Sequence, residues 1–217
     1  MFRIVLLVLF LVPSLSLAAD IHVSTTKAPA KIDILVADFT KDGNFTDPEG
    51  RHKAMADIFQ HDLEFSGLFR VIRVADAGTE KVKWREMGPP FVFIGSYSTD
   101  GRDIWIEGKL YNAATGDLIF SKKYDRGVSI MRQRVHQLAD HVTFQLTGEK
   151  GIATSKIAFI SDATGSKELY VMDYDGHNIR QITFDKSIAT LPKWSSDGSY
   201  LLFTTYRRGV ADLAWIS

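Results

Sequence analysis

A histidine four residues before an aspartate on one helical face can pair a general base with its orienter, or two metal ligands. His136 and Asp140 stand at that spacing in the run Val135-His136-Gln137-Leu138-Ala139-Asp140. No third group accompanies them in the sequence, and an i,i+4 pair that supports its own helix is the plainer reading. His141 lies about 140° around the helix from His136 at 100° per residue, so the two histidines diverge and a two-histidine metal pair is not expected. Asp173-Tyr174-Asp175-Gly176 has the look of a calcium loop's beginning. The loop's glycine belongs at position 6, however, which would place Val171 at the first ligand position. An Asp-Gly hairpin turn is the better account, as it is for Asp42-Gly43, Asp100-Gly101 and Asp197-Gly198. The chain contains no cysteine, which excludes disulfides, thiolate metal sites and cysteine nucleophiles. Nor does it carry GxGxxG, GxxxxGK[ST], HExxH or GxSxG. No catalytic residue, metal ligand or cofactor is therefore assigned, and the expectation is a protein that is not an enzyme. Trp84, Trp105, Trp194 and Trp215 are expected to be mostly core rather than a ligand platform.

The elements that would position these side chains fall into two rhythms. Ile32 to Phe39 is an apolar, β-branched run that predicts a buried strand. Asp47-Pro48-Glu49 predicts an N-cap, a proline at the first helical position and an acidic first turn. Met55, Ile58, Phe59 and Leu63 then share one helical face, and Gly67 ends it. Strands follow at Phe69 to Val74 and Phe91 to Tyr97, with a short helix around Trp84 between them. Ile104 to Tyr111 and Leu118 to Tyr124 flank a hairpin, and a second helix runs from Ser129 to Thr147 with Gly148 after it. The order βαβ(α)βββα predicts a compact α/β domain with a mixed sheet.

After Ser155 only strands are predicted. Setting Ile157 on Leu201, an offset of 44, aligns Phe159 with Phe203, Gly165 with Gly209, Glu168 with Asp212 and Leu169 with Leu213. Repeats of about 40 to 45 residues with several short strands each are the mark of propeller blades. The 62 residues from Lys156 to Ser217 hold about 1.4 such units, against the four to eight of a closed ring. The fold-class expectation is thus α+β/α/β: a small mixed-sheet N-terminal domain followed by the first blades of an incomplete all-β propeller.

Composition agrees with an ordinary globular chain: 217 residues, 45% hydrophobic, 24% charged, with 26 basic and 26 acidic side chains. The balance of charge disfavours nucleic-acid binding through a bulk basic field. At the N-terminus, Arg3, the apolar run Ile4 to Val12, Pro13 and the small residues Ser16, Ala18 and Ala19 have the pattern of a cleaved secretory signal peptide. Nine helical residues span about 14 Å, too short for a ~30 Å hydrocarbon core. The expected organisation is a signal peptide over 1–18, an N-terminal strand and linker over 19–31, an α/β domain over 32–150 and propeller strands over 156–217. The first of these makes the mature chain periplasmic.

Leu-Tyr-Val-Met-Asp-Tyr-Asp-Gly at 169–176, Ile-Arg-Gln-Ile-Thr at 179–183 and Trp-Ser-Ser-Asp-Gly at 194–198 resemble the repeat of TolB-type propellers. The usual Ser-Pro-Asp-Gly is here Ser195-Ser196-Asp197-Gly198. Trp84-Arg85-Glu86-Met87-Gly88 and Leu146-Thr147-Gly148-Glu149-Lys150-Gly151 are similar to landmarks of the TolB N-terminal domain. The resemblance implies a front portion of a six-bladed protein of the Tol-Pal envelope system, linking TolA to the lipoprotein Pal for outer-membrane integrity and division. Asp20-Ile21-His22-Val23-Ser24-Thr25 alternates apolar and polar residues, the pattern of a short strand able to join a sheet edge. The family implies that this segment contacts TolA. No residue is assigned to Pal. The competing class is an exported hydrolase in which a propeller gates a catalytic domain; a GxSxG-bearing region would mark it, and further 44-residue repeats would mark the TolB reading.

Overall fold

The computed structural model describes residues 30–78 and 81–217. The proposed signal peptide and nearly all of the 19–31 segment, including Asp20 to Thr25, lie outside the described residues. Among those described, no helix is long and apolar enough to cross a membrane.

The first part is one mixed sheet under two helices. Strand β1 (Ile32–Ala37) is apolar at nearly every position because both of its faces are covered, as expected of a strand with parallel neighbours. After the two-residue β2 (Thr40–Lys41), helix α1 (Arg51–Phe65) crosses to β3 (Phe69–Val74), which pairs parallel to β1 with Ile32 opposite Phe69. The short α2 (Lys81–Met87) leads to β4 (Phe91–Thr99), which lies parallel to β1 on its other side. β5 (Asp103–Asn112) and β6 (Leu118–Gly127) continue antiparallel, giving the order β3-β1-β4-β5-β6, with β2 paired to β4. A single 3-10 turn, Val128–Ile130, opens into α3 (Met131–Thr147).

The alternation of β4 and β5 decides which residues meet the helices. Ile104, Ile106 and Leu110 of β5, with Ile34, Val36 and Phe93, form one buried cluster with Phe59 and Leu63 of α1 and Val135, Leu138 and Val142 of α3. Gly108 completes that row. A Cβ at this position would lie 2.8 Å from Leu138 Cδ2 and 2.8 Å from Phe93 Cζ, so glycine is what lets α3 approach the sheet. The opposite sheet face buries Leu35, Ala37 and Val92 under Trp84 of α2, whose indole N–H donates to Ala77 O at 2.9 Å. Trp84 is thus core, as expected; Trp215, in contrast, is 67% exposed.

The start of α1 differs from the sequence expectation. Pro48 and Glu49 form a turn, and the helix begins at Arg51 behind Gly50, whose φ of 64° suits glycine. Asp47 still performs the capping from outside the helix: its carboxylate accepts the Arg51 and His52 amides at 3.1 and 3.2 Å and the Tyr97 hydroxyl at 2.7 Å. Burial works against ionisation there, but hydrogen bonds from His52, Tyr97 and the two amides hold the Asp47 carboxyl well below the usual carboxylate range. Its contribution to stability is therefore present above the unfolded carboxylate value, about 4, and is lost as pH falls through the lower folded value. Asp47→Asn should cost about 1–2 kcal/mol at neutral pH and flatten the acid slope of stability. Thermal unfolding of both chains from pH 7 to 2 checks it; parallel curves would remove Asp47 from the acid response.

The second part is two antiparallel sheets. β7 (Lys156–Ser161), β8 (Glu168–Asp173) and β9 (Arg180–Gln181) form the first, and β10 (Ala189–Trp194), β11 (Leu201–Thr205) and β12 (Asp212–Ile216) the second. The 44-residue offset holds in three dimensions, since it carries β7 onto β11 and β8 onto β12. Leu169 and Val171 of the first sheet pack against Ala189, Leu201 and Phe203 of the second. Their counterparts one repeat later, Leu213 and Trp215, are 71% and 67% exposed. The sheets stack as neighbouring blades do, and among the described residues they do not close a ring.

Candidate functional site

A polar or charged residue on the apolar stripe of an amphipathic helix must find a partner when the helix packs, because an unpaired buried polar group is costly. Asp62 and His136 are two such residues. Asp62 falls seven residues after Met55, in line with Ile58 and Phe59, and His136 sits between Val135 and Ala139 on α3. α1 and α3 bring the two together: His136 Nδ1 is 2.7 Å from Asp62 Oδ2, and the residues are both 3% exposed.

The other half of the site comes from the repeat part. The turn after β8 carries Tyr174 and Asp175, with Gly176 at φ 84° to reverse the chain. The Tyr174 hydroxyl donates to Asp62 Oδ1, and its ring stands edge-on to His136 with centroids 5.6 Å apart. Asp175 Oδ2 accepts from Arg132 Nε at 3.0 Å and also pairs with Arg132 Nη2, while His136 Nε2 lies 3.2 Å away at ion-pair range, outside hydrogen-bond geometry. His177 Nδ1 is 3.3 Å from the other Asp175 oxygen. Burial pushes the Asp62 carboxyl up in spite of its bonds from His136 and Tyr174. Burial would do the same to Asp175, but Arg132 and the His177 amide hold it low. The Tyr174 hydroxyl is raised by burial and by its bond to Asp62.

Asp140 does not join this group. Its carboxylate turns to the connector between the parts, accepting the amides of Ala153 at 2.8 Å and Thr154 at 3.0 Å and the Thr154 hydroxyl at 2.6 Å. The expected His136–Asp140 support pair is therefore corrected: each residue bonds a different segment distant in sequence, because α3 lies between α1 and the connector. Gly151 belongs to the same clamp, since a side chain there would collide with Asp140. His141 faces away, with Nδ1 2.6 Å from Gln137 O and 3.2 Å from the Tyr124 hydroxyl.

A cleft of about 400 Å³ opens beside His136, lined among others by Arg132, Lys156, Asp173, Asn178 and Arg180. On its wall Lys156 pairs with Asp173, and Arg132 pairs with Asp175 behind it. The partners of His136 are carboxylates rather than a hydroxyl nucleophile, and the described residues include no group of three or more His, Asp or Glu arranged for a metal. What this arrangement does is join: it ties the helices of the first part to the first sheet of the second.

Residues 19–119 match the family model described as the TolB amino-terminal domain. The chain belongs to the TolB family. A Tol-Pal system protein TolB from Desulfosudis oleivorans is 35% identical over 181 residues, 77% of this chain and 41% of that protein. A TolB homolog from Chlorobium chlorochromatii is 33% identical over 209 residues, 91% and 47%. A further TolB, from Geobacter sulfurreducens, is 32% identical over 206 residues, 90% and 48%. The chain thus spans about half the length of the curated TolB proteins it matches. The crystal structure of TolB from Acinetobacter baumannii overlays 85% of this chain and 46% of its own with a TM-score of 0.70 at 18% identity, which establishes the shared fold.

Asp62, Arg132, Tyr174 and Asp175 are the site residues that the sequence reading passed over. The available clue was polar residues at stripe positions of both helices. For Tyr174 and Asp175 the turn chemistry was read correctly, but nothing local announces a turn that docks on another part of the chain.

Proposed function

We propose that this chain is a periplasmic, non-enzymatic interaction protein of the Tol-Pal system, with 32–150 as its α/β domain and 156–217 as its first propeller strands. In this reading it contacts TolA through Asp20 to Thr25 and Pal through the propeller. The observation that carries the proposal is the TolB amino-terminal domain match over 19–119, which takes in Asp20 to Thr25 and the sequence of β1 to β5. Export by a signal peptide over 1–18 goes with it.

The test is a titration of the C-terminal domain of TolA into the intact chain and into one lacking residues 20–26. An added strand gains main-chain hydrogen bonds and buries Ile21 and Val23 at roughly 1.5–3 kcal/mol each, less the cost of ordering the segment. Shortening should therefore abolish or greatly weaken binding while leaving the unfolding of the α/β part nearly unchanged. Equal affinities would place the contact elsewhere.

A further inference from the structure

Among the described residues, no helix or strand of the α/β part packs broadly on a strand of the repeat part. Among the described residues, the junction is built from the connector clamped by Asp140 and the turn at Tyr174 and Asp175. Small, polar junctions between parts of a chain leave relative motion as the default, unless something fixes the angle. Here the something is specific. Tyr174, from the repeat part, is counted among the buried core residues of the α/β part, packed against Phe65 at 5.3 Å between ring centroids. Asp175, with a side chain only 2% exposed, supplies a carboxylate facing both Arg132 and His136.

We propose that the turn after β8 is a latch that sets the angle between the two parts, with Asp175 as its bolt. Engaged, two carboxylates, Asp62 and Asp175, face Arg132 and the His136 ring in one enclosed set. Withdrawing the turn takes one carboxylate from the set and leaves Arg132 and Asp62 to be rehydrated. A partial withdrawal keeps that cost without gaining water, so the joint has two arrangements rather than a continuum of angles. Free of the turn, the repeat part is held, among the described residues, by the connector, where Thr154 and Ala153 remain on Asp140. The inference does not depend on which partners the protein binds.

The absence of cysteine makes a direct test simple. Lys122→Cys on β6 and Thr164→Cys between β7 and β8 place spin labels at exposed sites of the two parts. The parent chain should give one narrow distance distribution. Asp175→Asn, which keeps the shape of the side chain and removes its charge, should broaden or split that distribution. It should also speed amide exchange at Tyr174, bonded to Ser155 O, by about tenfold or more, while exchange in β1 and β4 stays slow. An unchanged distribution with unchanged Tyr174 exchange would overturn the latch. So would loss of protection throughout β1 and β4, which would make the turn an integral piece of the α/β core. Asp175→Ala is the harsher companion and should broaden the distribution further; no broadening in it counts against the proposal equally.

Discussion

Replacing Phe59 with alanine is expected to cost about 3–5 kcal/mol, a large share of the 5–15 kcal/mol that holds an ordinary domain together. Phe59 has no exposed surface, and its ring stacks on Phe93 with centroids 4.0 Å apart at 20°. Phe93 in turn lies against the place where Gly108 admits α3. The pair is therefore the point at which α1, β4, β5 and α3 all meet. A void there cannot be filled by a neighbour, because Phe39, Tyr97 and Leu138 are already committed to their own contacts within the cluster. Phe59→Leu keeps most of the volume and should cost about 1–2 kcal/mol. Denaturant unfolding followed by far-ultraviolet circular dichroism reads both variants. A loss below 1 kcal/mol in Phe59→Ala would mean that the helix layer collapses onto the gap and that the two faces are less rigidly packed than the stacking indicates.

Periodicity exposed most of this. The apolar run at Ile32, the stripe from Met55 to Leu63 and that from Val135 to Leu146 each encode an element and the face it buries, so the α/β layer and its core were legible. The 44-residue offset was legible too, because repeats announce themselves without any knowledge of contacts. Helix starts were less so: Asp47 caps α1 from across a turn that Pro48 and Glu49 make, and Gly50 occupies the cap position, a geometry that local preference ranks below the simple proline-first helix. The junction was hidden for a different reason. Asp62 and Tyr174 are 112 residues apart, and the side chains of Asp62, His136, Tyr174 and Asp175 acquire meaning only when α1, α3 and the turn are placed together. A period of 3.6 marks which side of a helix faces inward, yet it cannot say which distant turn will meet it.

Asp62 is where the second large effect is expected. Its two oxygens serve two groups, His136 Nδ1 at 2.7 Å and the Tyr174 hydroxyl, and its side chain has no exposed surface. Asp62→Ala removes both acceptors at once and leaves two buried groups, His136 Nδ1 and the Tyr174 hydroxyl, without their partner. Leaving the other members of a buried ionic set uncompensated costs about 3–5 kcal/mol, well above the loss of an isolated neutral hydrogen bond at about 1 kcal/mol. Asp62→Asn retains an oxygen for Tyr174 and the size of the side chain, and so should lose less than half of that. Tyr174→Phe removes only the hydroxyl and should cost about 1 kcal/mol more than its weak effect on packing. Because the two residues share one bond, the double variant Asp62→Ala with Tyr174→Phe should be less destabilised than the sum of the singles, by about 0.5 kcal/mol or more. Equilibrium denaturation of the four chains in the Asp62–Tyr174 cycle measures the coupling. Strict additivity would mean that the carboxylate and the hydroxyl contribute separately to the junction, and that the short contact between them does not hold the turn in place.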